Sequence, residues 1–210
     1  MRKAVIIMGP PGSGKGTQAD LVASRFNLIH FDTGKYLSGL NRKEIATGDL
    51  VKPSFVLRNV KKEARRIKQA GYGIALSGSP RTIFEAFGDR KREGLIPFLA
   101  KLYGQKNVFI FKLEIPAKTS IARNSKRMVC SVCGNSHILK IRLQRCPFCG
   151  GKLVKRVDDK PKIIKVRLEE YSERTEPILA ELKKRGFRAH IIDGTPKPER
   201  VFRAITKRIS

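Results

Sequence analysis

A chain of 210 residues has room for one well-packed domain with inserted flaps, and its 45 Lys and Arg against 18 Asp and Glu give a net charge of +27. That balance favours polyanionic partners such as nucleotides, RNA or acidic surfaces, yet the basic residues are spread along the whole chain, with no single basic tail and no aromatic RNA-binding motif. No apolar stretch approaches the ~20 residues that span a bilayer, and the N-terminal apolar run is too short for a secretion signal, so a cytoplasmic protein with no membrane partner is expected.

The apolar run Ala4-Val5-Ile6-Ile7-Met8 reads as a short buried strand and leads directly into GPPGSGKGT at 9–17. A helix from Lys15 to about Arg25 follows. Strand, glycine-rich turn and helix in this order are the setting of a phosphate-binding loop. Gly9, Gly12 and Gly14 let backbone N–H groups approach phosphate oxygens where a side chain would intervene. The helix N-terminus adds partial positive charge and Lys15 a full one. A glycine turn of purely structural use is the alternative, and it leaves the lysine unexplained.

Residues 27–31 read as a second strand, after which Asp32 or Thr33 caps a helix running to about Leu40. A polar connection covers 41–53. From Ser54 to Ala70 the apolar stripe Val56 or Leu57, Val60, Ala64 and Ile67 predicts a helix whose basic outer face is solvated. Gly73–Leu76 is a third strand, followed by SGSPRT at 77–82 and a helix from about Ile83 through the nineties. Val108–Ile115 is a fourth strand. Pro116 opens the next helix, which is expected to carry Arg123 and Arg127 on one face. A cysteine-bearing insert, a long helix over 161–185, a strand at 189–192 and a basic terminal helix complete the chain. Five strands alternating with helices predict an α/β fold, a mainly parallel sheet covered on both sides, with the nucleotide at the carboxyl ends of the strands.

All four cysteines fall within one short stretch, as Cys130-x₂-Cys133, twelve residues, then Cys146-x₂-Cys149. Gly134 and Gly150 follow the pairs and permit turns that aim the sulfurs at one point. Four thiolates at this spacing suit a tetrahedral structural Zn²⁺. Two disulfides are the alternative, which a reducing cytosol disfavours. A redox pair would need one such motif beside a thioredoxin-like unit, and none is visible. His137 lies between the pairs and is surplus to a complete four-sulfur shell.

Taken together, GPPGSGKGTQA, DTG at 32–34, SGSPRT, the arginines before Cys130, KRVDD at 155–159, RLEEYSERTEPI at 167–178 and IIDGT at 191–195 resemble the adenylate kinases, within the nucleoside monophosphate kinases, in the form with a zinc-bearing lid. The resemblance covers nearly the whole chain. It implies a P-loop three-layer α/β/α fold with a five-stranded parallel sheet: a core of 1–31, 58–127 and 160–210, a shortened acceptor flap at 32–57, and a lid at 128–159. It implies transfer of the γ-phosphoryl of ATP, with Mg²⁺, to a nucleoside monophosphate, AMP by default, in a monomer.

The same resemblance assigns roles. Gly9, Pro11, Gly12, Ser13, Gly14, Lys15, Gly16 and Thr17 would bind ATP phosphates, and Arg123 would stack on the donor adenine. Arg81 and Arg167 would grip the acceptor phosphate and the transferring group, with Arg127 and Arg156 closing from the lid under the hold of Asp158 and Asp159. Thr33, Gly34, Val51, Gly78, Arg81 and Glu85 would form the acceptor site.

Departures from the family pattern gather on the acceptor side. Lys35 and Ser77 stand where the family has aspartates that help orient water around Mg²⁺; Ser38 replaces an arginine, Ser79 an aromatic residue, and Glu85 the glutamine that reads adenine. Asp32 could stand in for a missing aspartate, or Lys35 could supply positive charge directly. An ionised Glu85 can only accept hydrogen bonds, which suits the paired donors of guanine; alternatively it turns to a neighbouring basic residue and the base is read by the backbone. Three readings follow: an adenylate kinase, a kinase for another acceptor such as GMP or a pyrimidine nucleotide, or a nucleotide- or RNA-binding protein with weakened turnover.

Overall fold

The computed structural model describes residues 2–40, 52–138 and 143–209. In chain order its main elements are β1 (Ala4–Met8), α1 (Lys15–Phe26), β2 (Leu28–Asp32), α2 (Thr33–Leu40), α3 (Pro53–Gln69), β3 (Gly73–Ser77), α4 (Ile83–Phe87), α5 (Leu95–Tyr103), β4 (Val108–Glu114), α6 (Ala117–Lys126), β5 (Arg127–Cys130), β6 (Ser136–Ile138), β7 (Leu153–Val154), α7 (Pro161–Glu170), α8 (Pro177–Lys184), β8 (Ala189–Asp193) and α9 (Pro198–Thr206). The strands β2-β3-β1-β4-β8 form one sheet in which every neighbouring pair is parallel. β1 is apolar and buried at all positions, as a strand covered on both faces must be.

Alternation along β1 divides the core. Ala4, Ile6 and Met8 face α3, α4, α5 and α8 through Val60, Ala64, Phe87, Leu99 and Ile178, whereas Val5 and Ile7 face α1 and α9 through Val22 and Ile205. This is the three-layer α/β/α fold expected, and its parallel strands bring every β-to-α loop to one edge. Among the described residues, no helix is long and apolar enough to cross a membrane.

Three expected elements differ. The helix expected from Ile83 onward is two helices, because Gly88 (φ +80°) pairs with Glu93 across a turn in which Asp89 Oδ1 accepts from the N–H groups of Lys91 and Arg92. The long helix over 161–185 is interrupted by a π-turn at Tyr171–Thr175. Pro177 has no N–H to continue the α-helical ladder, and Glu176 N–H bonds back to Tyr171 O at 3.0 Å. Arg127 does not share a helix face with Arg123: α6 stops at Lys126, and Arg127 opens β5 in an extended conformation.

Beyond α6 the chain leaves the main sheet. β5 lies between β6 and β7 in a small antiparallel sheet whose buried cluster, among the described residues, is Cys130, Cys146 and Leu153, with Met128 and Leu143 packed against it. So little apolar burial cannot hold a fold by itself.

Candidate active site

The loop between β1 and α1 is shaped by its glycines. Gly12 has φ +74°, and a methyl group there would lie 2.6 Å from Asn124 Nδ2. Gly14, at φ +90°, precedes the first turn of α1, and nothing lies within 4 Å of where its side chain would be, so the helix N-terminus is open to an anion. Gly16 is equally open. α6 braces the loop from above: Ser120 Oγ donates to Pro11 O at 2.6 Å, and Asn124 Nδ2 donates to Ser120 O at 2.8 Å. Both side chains are fully buried. The sequence reading passed over them; the available signal was two small polar residues four apart in the helix after a buried strand, a place where burial demands partners.

Lys15 Nζ donates to Gly9 O and Pro10 O at 2.7 and 2.8 Å. Burial, with Arg81, Arg167 and Arg127 adding to it and Asp32 opposing, brings its pKa down to about 7. Arg167 is likewise lowered by burial against the pull of Asp158, with Arg156, Arg81 and Arg127 adding to the effect. The five predicted catalytic cations are therefore neighbours, although they come from the α1 N-terminus, the β3–α4 loop, β5, the β7–α7 connection and α7. Among the described residues, three carboxylates act on them. Arg127 Nε donates to Asp159 Oδ2 at 2.8 Å and its Nη2 pairs with Oδ1 of the same carboxylate. Arg156 pairs with Asp158 at 2.9 Å near the surface, and Asp32 is the third. Five cations against three anions leave positive charge that phosphate groups can neutralise.

Arg123 turns away from this cluster. Its Nη1 donates to Gly194 O and its Nη2 to Thr195 O, both at 2.8 Å, which fixes the guanidinium plane against the β8–α9 loop. On the other side of Lys15, a methyl at Gly78 would lie 3.6 Å from Thr33 Cβ, 3.7 Å from Gly34 N and 3.8 Å from Arg81 Nη2, so these four predicted acceptor residues meet at one point. Thr33 Oγ1 is buried there without a partner among the described residues. Asp32, not Thr33, caps α2, accepting from Lys35 N at 3.1 Å. Arg81 is held by Nε donating to Gly78 O at 2.8 Å and by Thr175 Oγ1 of the π-turn donating to its carbonyl at 2.9 Å, a support the sequence did not announce. Val51, another predicted acceptor residue, lies outside the described residues, as does most of the 41–53 connection.

Glu85 has a local job. It is buried, its Oε2 accepts from Arg81 N at 2.9 Å, and its own N–H donates to Thr82 Oγ1 at 3.0 Å, a reciprocal cap on α4. Burial raises its pKa, and the Arg81 N–H resists the rise. Of the two sequence alternatives, the turn toward a basic neighbour is the one seen, although the partner is that neighbour's backbone. Lys35 reaches across to the lid: a methyl at Gly134 would lie 3.3 Å from its Cε.

The four cysteine sulfurs lie within 4.8 Å of one another, with Cys130 to Cys149 at 3.4 Å and Cys133 to Cys146 at 3.7 Å. Ligands on a tetrahedral zinc with Zn–S of about 2.3 Å are roughly 3.8 Å apart, so the set fits. The N–H groups of Cys133 and Val132 help bring Cys130 down to about 6. Against the Asn135 N–H, burial and the neighbouring cysteines push Cys133 up to about 12; a dication would relieve that opposition. His137 Nε2 sits 3.5 Å from Cys146 Sγ, outside the four-sulfur shell.

A family model described as adenylate kinase matches residues 7–187. The chain is 35% identical over 196 residues to an adenylate kinase of Caldicellulosiruptor saccharolyticus, covering 87% of this chain and 88% of the relative. It is 33% identical over 220 residues to one of Methanothrix thermoacetophila, with 98% of each chain covered, and 30% identical over 215 residues to one of Clostridium tetani, with 96% of each covered.

Proposed function

Because the chain belongs to the adenylate kinase family, we propose that it transfers the γ-phosphoryl group of ATP to AMP, giving two ADP, and that the site residues act in the roles their positions suggest. The observation that carries this is the convergence of Lys15, Arg81, Arg127, Arg156 and Arg167 from separate elements onto the open N-terminus of α1. The loop of Gly9, Pro11, Gly12, Ser13, Gly14, Gly16 and Thr17 holds the donor phosphates through the backbone N–H groups of its non-proline residues, with Lys15 recharged by the phosphates. Arg123 presents a plane fixed at both ends, as stacking on adenine needs. Thr33, Gly34, Gly78 and Arg81 receive the acceptor phosphate. Its attacking oxygen is already ionised, so no general base is required; the chain's work is alignment and neutralisation of the equatorial oxygens by bidentate arginines.

Adenylate kinases use Mg²⁺ with ATP, and here Asp32 and Ser77, register partners at the carboxyl ends of β2 and β3, are the oxygen-bearing residues that would serve it. Bound Mg²⁺ would supply charge neutralisation of the phosphates. Zinc at the four cysteines would stabilise the lid, 128–159, without tying it to the core, and Asp158 and Asp159 would hold its arginines. The acceptor flap is 32–57 and the rest is core. Reduced thiols and a phosphate-transfer site suit a cytoplasmic monomer.

The test is purified protein with ATP, Mg²⁺ and each nucleoside monophosphate in turn, with ADP followed by chromatography. ADP should form fastest with AMP. Faster turnover with GMP or a pyrimidine nucleotide would reassign the acceptor. Absence of turnover with all of them, beside tight salt-sensitive RNA binding, would overturn the kinase reading.

A further inference from the structure

Ser77 is the carboxyl-terminal residue of β3, where the family pattern has an aspartate, and it is one end of a chain of three side chains. Its Oγ lies 2.8 Å from His30 Nε2, and His30 Nδ1 lies 2.6 Å from Asp20 Oδ1. Three elements contribute: α1 gives Asp20, β2 gives His30 and β3 gives Ser77. The side chain of Asp20 is 62% exposed and that of His30 11%, while Ser77 is 3% exposed, so the chain runs from solvent into the protein. Ser77 is level with Ile7 on β1 and Asp32 on β2. It therefore ends at the edge from which the phosphate loop departs at Gly9.

The direction of the hydrogen bonds follows from chemistry. An ionised carboxylate only accepts, so Nδ1 carries the ring proton; in the neutral ring Nε2 then accepts, and Ser77 must donate to it. The Ser77 proton is thus committed to His30, and the oxygen lone pairs face away from the ring. Asp20 fixes the tautomer and makes the ring a stronger acceptor, as a carboxylate does behind a metal-bound or catalytic histidine.

On the kinase reading above, we propose that Asp20, His30 and Ser77 form a positioning chain that substitutes for the lost aspartate, holding the Ser77 oxygen as a fixed acceptor for water bound to the Mg²⁺ that accompanies ATP. The negative charge has moved outward to Asp20 and acts through the imidazole. Ser77 itself is a hydrogen-bond acceptor here and forms no covalent bond.

Isothermal titration of ATP with and without Mg²⁺ tests the chain through binding, apart from turnover. In the wild type Mg²⁺ should tighten ATP binding, and no gain at all would overturn the proposal. In His30→Ala, Ser77→Ala and the surface variant Asp20→Asn that gain should shrink, by roughly tenfold in the first two, while metal-free ATP affinity and melting temperature stay nearly unchanged. Ser77→Asp in the His30→Ala background should restore the gain. An undiminished Mg²⁺ gain in both His30→Ala and Asp20→Asn would overturn the proposal, as would an equal loss of metal-free affinity. A phosphoryl adduct on Ser77 after incubation with ATP, seen by mass spectrometry, would also overturn it by making Ser77 a nucleophile. Wild-type turnover with AMP tests the kinase reading separately: its absence alongside a His30-dependent Mg²⁺ gain would remove that reading and keep the positioning chain.

Discussion

The two sides of the phosphate site are built from different materials. On the donor side the groups presented are mainly backbone amides, set by Gly12 and Gly14 and braced by the buried Ser120 and Asn124. On the side proposed for the acceptor they include the side chains of Thr33 and Arg81, on a short helix and the loop before another. Backbone geometry tolerates few residue types, so the donor side keeps a recognisable signature. Side chains can be exchanged without disturbing the fold, so the acceptor side has been rewritten around the same sheet.

The largest expected break falls on the donor side. Lys15→Met should lower kcat by three orders of magnitude or more, about 4 kcal/mol of transition-state stabilisation, with an unchanged circular dichroism spectrum. The lysine also predicts a proton linkage. With its pKa at about 7 in the free protein, Lys15 is mostly neutral at pH 8, and phosphates that neutralise Arg81, Arg127 and Arg167 recharge it. ATP binding at pH 8 should therefore take up roughly half to one proton, measured by calorimetry in buffers of different ionisation enthalpy. The sign for the free protein is fixed as well. The unfolded chain holds this proton up to its ordinary value near 10.5, so the Lys15 contribution makes stability rise with pH from about 7 toward 10.5. Both effects should vanish in Lys15→Met; a full proton uptake in that variant would assign it elsewhere.

The lid sharpens the comparison, because its buried cluster is small and its four cysteines offer a metal set in place of a core. One zinc per chain should be found by elemental analysis of protein made with zinc available. Cys146→Ser should abolish it and lower kcat by about 100-fold while the main sheet stays folded, since Arg127 and Arg156 are then presented by an unfolded segment. Metal content near zero with full activity would show that the lid folds without it.

How much of this was legible depended on whether one stretch of sequence carried its own reason. The strands, the phosphate loop and the paired cysteines did, because burial, turn geometry and ligand spacing are local requirements. The interruptions at Gly88 and Pro177 were visible as residues, but helical periodicity on either side outweighed them. Ser120 and Thr175 support the site through partners more than ninety residues away, and no local pattern announces such a partner. The Asp20–His30–Ser77 chain was hidden for the same reason: its members look unremarkable until three elements bring them together.

The smallest expected effect belongs to the acceptor side, at Glu85. On the sequence reading in which this carboxylate faces the acceptor base, Glu85→Gln should raise kcat/KM for AMP relative to GMP by tenfold or more, the size of discrimination a misplaced buried acceptor imposes; on the other, it turns to a basic neighbour. The structure gives the carboxylate to Arg81 N–H instead and couples it to Thr82 through the α4 cap. Glutamine retains an amide oxygen that can accept the same bond, so Glu85→Gln should leave the AMP-to-GMP ratio within about threefold of wild type. Alanine cannot accept it. Glu85→Ala leaves the Arg81 N–H without this partner and loosens the turn that carries Arg81, so melting should fall by about 2–4 °C, the scale of roughly 1 kcal/mol in a chain of this size. The KM for the acceptor should rise in that variant for AMP and GMP alike, because what shifts is the arginine that meets the phosphate both share. A tenfold change in the ratio for Glu85→Gln would show the carboxylate leaving its cap for the base once acceptor is bound, and would return base recognition to the side chain.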